Sequence, residues 1–152
     1  MRYLTILALL AASSGVVLAQ SAPIKMGLWE KKMVTSNGVG APATLRAKSC
    51  INPAAWQEMV AAMSKQHEGC TSNSVKNAHG YSFTGNCTLA GGGTMVINGT
   101  LTIQDDQHIV SESHSTTTTQ GEKRQVDSHS TSTFLSADCG HITPGDPEIE
   151  ND

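Results

Sequence analysis

Apolar and polar residues alternate along most of this chain, which is the period of a strand with one buried face. The clearest case is Thr94 to Gln104. Met95, Ile97, Leu101 and Ile103 alternate there with Thr94, Asn98, Thr100 and Thr102. Weaker alternation marks strands at Gly27 to Thr35, Thr44 to Ser49, Ser72 to Ala78, Tyr81 to Cys87, His108 to Thr119 and Lys123 to Leu135. Turn-forming residues separate them: Asn37-Gly38, His79-Gly80, the Gly91-Gly92-Gly93 loop, Asp105-Asp106-Gln107 and Gly121-Glu122. One segment breaks the period. Asn52-Pro53 is a helix start, and Trp56, Met59, Val60 and Met63 recur at helical spacing, with Gly69 as the stop. The pattern predicts a mainly β domain: about seven antiparallel strands in a curved sheet, partly closed barrel or sandwich, with one packed α-helix over about 53–67.

The first residues do not belong to that pattern. Arg2, the apolar run Leu4 to Leu10 and the small residues up to Val17-Leu18-Ala19 form an export leader, with cleavage near Ala19-Gln20. The apolar run is shorter than the roughly 20 residues a spanning helix needs, so no membrane span is expected. The chain then divides into a signal peptide (1–19), one β-rich domain (20–139) and an acidic, proline-punctuated tail (140–152) expected to be disordered. This places the protein in the periplasm or outside the cell.

Export changes how the four cysteines read. Cys50, Cys70, Cys87 and Cys139 are separated by 19, 16 and 51 residues, with no C-x-x-C pair to form a zinc ribbon or a thioredoxin-type site. In an oxidising compartment an even count means structural disulfides. The hairpin at His79-Gly80 favours Cys70–Cys87 and hence Cys50–Cys139. The pairing of Cys50–Cys70 with Cys87–Cys139 stays open, because the helix returns Cys70 toward Cys50. Staples suit this chain, in which only 38% of residues are hydrophobic and, with Tyr3 lost in the leader, two Trp, one Tyr and two Phe are left to pack. Each bridge contributes about 2–4 kcal/mol, a large share of a small domain's stability.

Charge narrows the partners. Thirteen acidic residues against 10 basic ones give a net charge of −3, and loss of Arg2 with the leader makes it −4. Nothing here attracts a polyanion, so no nucleic-acid partner is expected. The expected state is a monomer. No G-x-S-x-G elbow surrounds any serine, and Gly91-Gly92-Gly93 lacks the context of a phosphate loop. No cofactor and no catalytic residue is expected.

One constellation suggests chemistry. A turn at Gly121-Glu122 sets His114 opposite His129, with Glu112 and Asp127 on the same face, a donor set suited to Zn²⁺ or Cu²⁺. Against this, Ile103 opposite Ile109 puts the inner face on Ile103, Ile109 and Phe134 and turns the histidines to solvent. Ser111, Ser113, Ser130 and Ser132 then point inward, lining a hydroxyl-walled space or a wet second face.

Several short motifs, in order, resemble one family. They are Gly27-Leu28-Trp29-Glu30, Cys50-Ile51-Asn52-Pro53 before the helix, Cys70, Tyr81-Ser82-Phe83 leading to Cys87, Gly91-Gly92-Gly93-Thr94, and Ala137-Asp138-Cys139 followed by Pro144-Gly145-Asp146. The chain resembles the exported bacterial domain-of-unknown-function family three-six-one-seven over about Gly27 to Asp146. The resemblance implies a bacterial, periplasmic, stand-alone domain and carries over no activity. The favoured function is a non-catalytic binding domain for a small apolar ligand or an envelope protein partner. The alternative is a metal- or redox-linked envelope protein using a cross-strand His114/His129 site.

Overall fold

The computed structural model describes residues 22–150. The alternating segments become eight strands of one open antiparallel sheet. These are β1 (Gly27–Ser36), β2 (Ala43–Ile51), β3 (Cys70–Asn77), β4 (Gly80–Thr88), β5 (Thr94–Asp105), β6 (His108–Thr119), β7 (Glu122–Ser136) and β8 (Glu148–Glu150). The spatial order is β3-β4-β5-β6-β7-β1-β2-β8. Strands β3 to β7 form a meander, and β1 joins it along β7, from Leu28↔Ser136 to Ser36↔Asp127. The predicted leader and its cleavage near Ala19-Gln20 lie outside the described residues, as do Asn151 and Asp152. Among the described residues no helix is long and apolar enough to cross a membrane.

The helix α1 (Pro53–Ala62) connects β2 to β3. Asn52 caps it, its side-chain oxygen accepting from the Ala55 N–H at 2.8 Å, with Pro53 in the first turn. It stops well before the predicted 67. Three short-range bonds tighten its end, from the N–H groups of Met63, Ser64 and Lys65 to the carbonyls of Val60, Ala61 and Ala62. The polar run beyond offers nothing to bury, and Gln66 turns instead to β3. The predicted apolar stripe is only half used: Trp56 is buried and Val60 packs on the core, while Met59 is exposed.

Residues paired across antiparallel strands share a face, and one face carries the core. Trp29, Leu101 and Ile109 are buried there with Trp56 and Ile24, flanked by Tyr81, Ile103 and Phe134. Trp29 meets Phe134 edge-on at 5.8 Å and its indole N–H donates to the Lys25 carbonyl at 3.0 Å. Gly27 lets β1 begin so close to β7. Its φ is +139°, and a Cβ there would run into the Ser136 carbonyl. As expected, Ile103 opposes Ile109, and Ser111 and Ser130, which pair with each other, lie on the core face. Beneath α1 the space is filled by the tryptophans and aliphatic residues.

The disulfides are Cys50–Cys139 and Cys70–Cys87. Cys70 and Cys87 are direct cross-strand partners in the β3–β4 hairpin. The first bridge corrects the expectation of a disordered tail. It ties Cys139 to β2, Ile142 is buried, and the Gly145 N–H bonds the Cys50 carbonyl at 3.4 Å. From that base Glu148–Glu150 reaches β2 as the eighth strand, opposite Arg46–Lys48.

The β5–β6 turn gives a pH prediction. The Gln107 N–H donates to Asp105 Oδ1 at 2.7 Å, and the His108 ring lies 2.9 Å from both carboxylate oxygens. The Gln107 bond first, and His108 second, hold the Asp105 carboxyl below its ordinary value of 3.8. A carboxyl depressed in the folded state adds stability above the unfolded-state value, and that stability is lost as pH falls through the folded one. The Gln107 amide signal in an NMR titration is therefore expected to move with a midpoint below 3.8. A midpoint at or above it contradicts the assignment. This turn also ties down the core rim, since the Asp106 and Gln107 carbonyls accept from the Lys25 and Phe134 N–H groups.

Candidate functional site

The face opposite the core carries a groove of about 620 Å³ across β5, β6, β7 and β1. Strand register builds it as two neighbouring rows. In one row Thr100 opposes Glu112, Glu112 opposes His129, and His129 opposes Val34. In the other Asn98 opposes His114, His114 opposes Asp127, and Asp127 opposes Ser36. The exposed wall is mostly carbon, with the four titratable side chains among its lining.

This arrangement corrects the predicted opposition of His114 and His129. The last hairpin turns at Gln120-Gly121, with Thr119 opposite Glu122. Both turn residues have positive φ, 53° and 83°, as the two-residue turn that matches strand twist requires. Moving the turn by one residue moves every partner by two and leaves each side chain on its predicted face. Each histidine consequently faces a carboxylate. His114 Nδ1 lies 2.6 Å from Asp127 Oδ1, and His129 Nδ1 lies 3.4 Å from Glu112 Oε1.

A carboxylate only accepts, so His114 Nδ1 carries the hydrogen that meets Asp127, and His114 Nε2 is the atom left for a ligand. His114 Nε2 lies 3.5 Å from Thr116 Oγ1. The carboxylates are about two-thirds exposed, Asp127 at 70% and Glu112 at 68%. Such pairs contribute only about 0–1 kcal/mol each to folding. The Asp127 bond orients the His114 ring, and Glu112 stands at ion-pair distance from His129. Two His–carboxylate couples side by side differ from four donors converging on one point. Among the described residues no group of three or more His, Cys, Asp or Glu is placed to hold a metal ion.

The predicted quartet His114, His129, Glu112 and Asp127 is thus brought together, with altered partners. Sequence alternation already put Asn98 and Thr100 on the wet face of β5. Val34 and Ser36 were not foreseeable as neighbours of the quartet, because they arrive through the pairing of β1 with β7, 93 residues apart at Thr35 and Ser128. The inward serines do not form a dry polar pocket. Ser130 is buried, its neighbours are half-buried, and no buried side-chain nitrogen or oxygen of the described residues lacks a hydrogen-bond partner.

A family model described as "Protein of unknown function (DUF3617)" matches residues 24–139. No curated protein matches the chain. A solved structure similar to it is the S-type phycobiliprotein lyase CPES from Guillardia theta, at 9% sequence identity and a TM-score of 0.43, covering 73% of this chain and 88% of that one.

Proposed function

Because the chain belongs to the DUF3617 family, whose description assigns no function, we propose a role from its own geometry: a non-catalytic binding domain of the bacterial periplasm. The ligand is a small molecule with an apolar body and a basic, hydrogen-bonding head, held in the outer-face groove. The observation that carries this reading is the groove itself, an open space of about 620 Å³ with a mostly carbon wall beside two His–carboxylate couples. Glu112 and Asp127 are the acidic side chains of its lining, and neither Lys nor Arg lines it. An amine head is favoured over a carboxylate one. The two disulfides suit an oxidising compartment, and the predicted leader supports delivery there. The domain acts as a monomer in this reading.

Isothermal titration at pH 7 with n-hexylamine and hexanoate tests it. A ligand this small reaches a Kd on the order of a millimolar or tighter. Hexylamine is expected to bind and hexanoate to bind at least about tenfold more weakly. Val34→Arg, which fills the groove and adds a cation, is expected to remove hexylamine binding without unfolding the domain. Equal binding of the two probes, or indifference to Val34→Arg, overturns the reading.

A further inference from the structure

The two edges of the open sheet are closed in different ways. At β3 the part of the edge around Ser72 and Ser74 is covered by side chains of the helix-to-strand connection. Gln66 Nε2 donates to the Ser72 carbonyl at 2.6 Å while its Oε1 accepts from the Ser72 N–H at 3.3 Å, imitating a strand partner. The hydroxyls of Ser64 and Ser74 also meet, and Cys70–Cys87 fixes the strand to β4. That stretch offers no template for another chain.

The β2 edge is covered by a strand of three residues. Among the described residues β8 covers only Arg46–Lys48 of the nine-residue β2, and Leu45 beside it is exposed. The fit is one of charge and alternation. Arg46 opposes Glu150, Lys48 opposes Glu148, and between them Ile149 opposes Ala47. Lys48 Nζ donates to Glu150 Oε1 at 2.6 Å, the main cause that holds Lys48 above the ordinary lysine range. On its other side β8 is open: Ile149 is 53% exposed. The tail is anchored upstream, at Cys139, Ile142 and Gly145, and His141 Nε2 lies 3.0 Å from Glu148 Oε2 of β8. Pro144-Gly145-Asp146-Pro147 separates that base from β8, so the strand can leave without disturbing the core.

We infer that the β2 edge is a strand-accepting site for an extended segment of a partner protein, one with carboxylates at alternate positions around an apolar residue. The chain's own β8 occupies the site until that segment replaces it. Main-chain bonds to β2 supply the affinity. Lys48, which pairs with Glu150, selects the acidic row, helped by Arg46, which also stands 3.7 Å from Glu30 of β1, and the apolar side chain lies beside Ala47 and Leu45. This site is separate from the outer-face groove and does not depend on its ligand.

The test uses the full chain and a fluorescein-labelled peptide copying residues 145–152. A tail tethered by a short linker competes at an effective concentration on the order of a millimolar, so displacing it raises the peptide's apparent affinity by about tenfold or more. Glu148→Lys with Glu150→Lys places like charges opposite Arg46 and Lys48 and lifts β8 away. Fluorescence anisotropy is expected to show tight peptide binding to this double variant, weak binding to the unmodified chain, and loss when Lys48→Glu is added. Binding is expected to weaken as salt rises. Equal binding by the unmodified chain and the double variant, or none by either at millimolar peptide, overturns the inference. Co-elution of differently tagged copies of the unmodified chain also overturns it, because the occupant is then a second copy.

Discussion

Trp29→Ala is expected to destabilise the domain by about 3–5 kcal/mol, the largest single-residue effect in the chain. Trp29 is 1% exposed and is the largest fully buried side chain of the described residues. Its loss leaves a cavity at the junction of β1, β7, α1 and the segment before β1. It also removes the edge-on contact with Phe134 and leaves the Lys25 carbonyl without its indole donor. Only seven hydrophobic residues are buried in the described part, and Trp29 and Trp56 are the two largest. A domain with so thin a core has little in reserve, since small domains hold about 5–15 kcal/mol in total. Urea unfolding checks the value, and the accompanying fall in Tm is roughly 10–20 °C. Trp29→Phe keeps a ring in the cavity and is expected to cost about 1–3 kcal/mol, mainly the unsatisfied carbonyl and the residual void. A Trp29→Ala variant within about 1 kcal/mol of the unmodified chain contradicts this view of the core.

The second large effect separates the two disulfides. Cys50–Cys139 closes a span of 89 residues and Cys70–Cys87 a span of 17. Loop-closure entropy alone gives about 4.5 kcal/mol for the first and about 3 kcal/mol for the second. Structure widens the difference. Cys70 and Cys87 sit in a hairpin already held by its ladder, whereas Cys50–Cys139 also anchors the tail that delivers Ile142 and β8. The double variant Cys50→Ala with Cys139→Ala is expected to lose more stability than Cys70→Ala with Cys87→Ala by about 1.5 kcal/mol or more. It is also expected to lose protection of the Arg46 to Lys48 amides in hydrogen exchange. Alanine avoids burying a new hydroxyl at Cys50, which is 5% exposed. Equal losses from the two double variants contradict the assigned roles.

What could be read from the sequence follows from physical range. Alternation is local, so β5, β6 and β7 were legible within a residue or two, and so was the face each side chain takes. The His79-Gly80 hairpin is local as well, and it led directly to Cys70–Cys87. Partners across the last hairpin were misread because Gly121-Glu122 was taken as the turn, while the backbone turns at Gln120-Gly121. That slip keeps the face and changes the neighbour, so the four groove residues were found and their couples were not. The strand β8 was invisible for a different reason. Pro144-Gly145-Asp146-Pro147 and the acidic residues after it have the composition of a disordered segment. Order there comes from Cys50–Cys139 and from Arg46 and Lys48, which are distant in sequence. The helix was overextended because Met63 continues the apolar spacing, although the next residues have nothing to bury.

The candidate site stays on the outer face. The core face is occupied by Trp29, Trp56, Leu101 and Ile109. The hydroxyl-rich inner surface beyond them has no unpartnered buried polar atom calling for a ligand. The groove on the other face has shape, carbon surface and oriented polar groups together.

The most direct test of that assignment is an amide NMR titration of the ¹⁵N-labelled chain with n-hexylamine at pH 7. Saturable shifts are expected to cluster at Val34, Ser36, Asn98 to Thr100, Glu112 to His114 and Asp127 to His129. Shifts clustered instead at the inner-face residues Met33, Ile97, Ser111 and Ser130, or no saturable shift at millimolar amine, would contradict it.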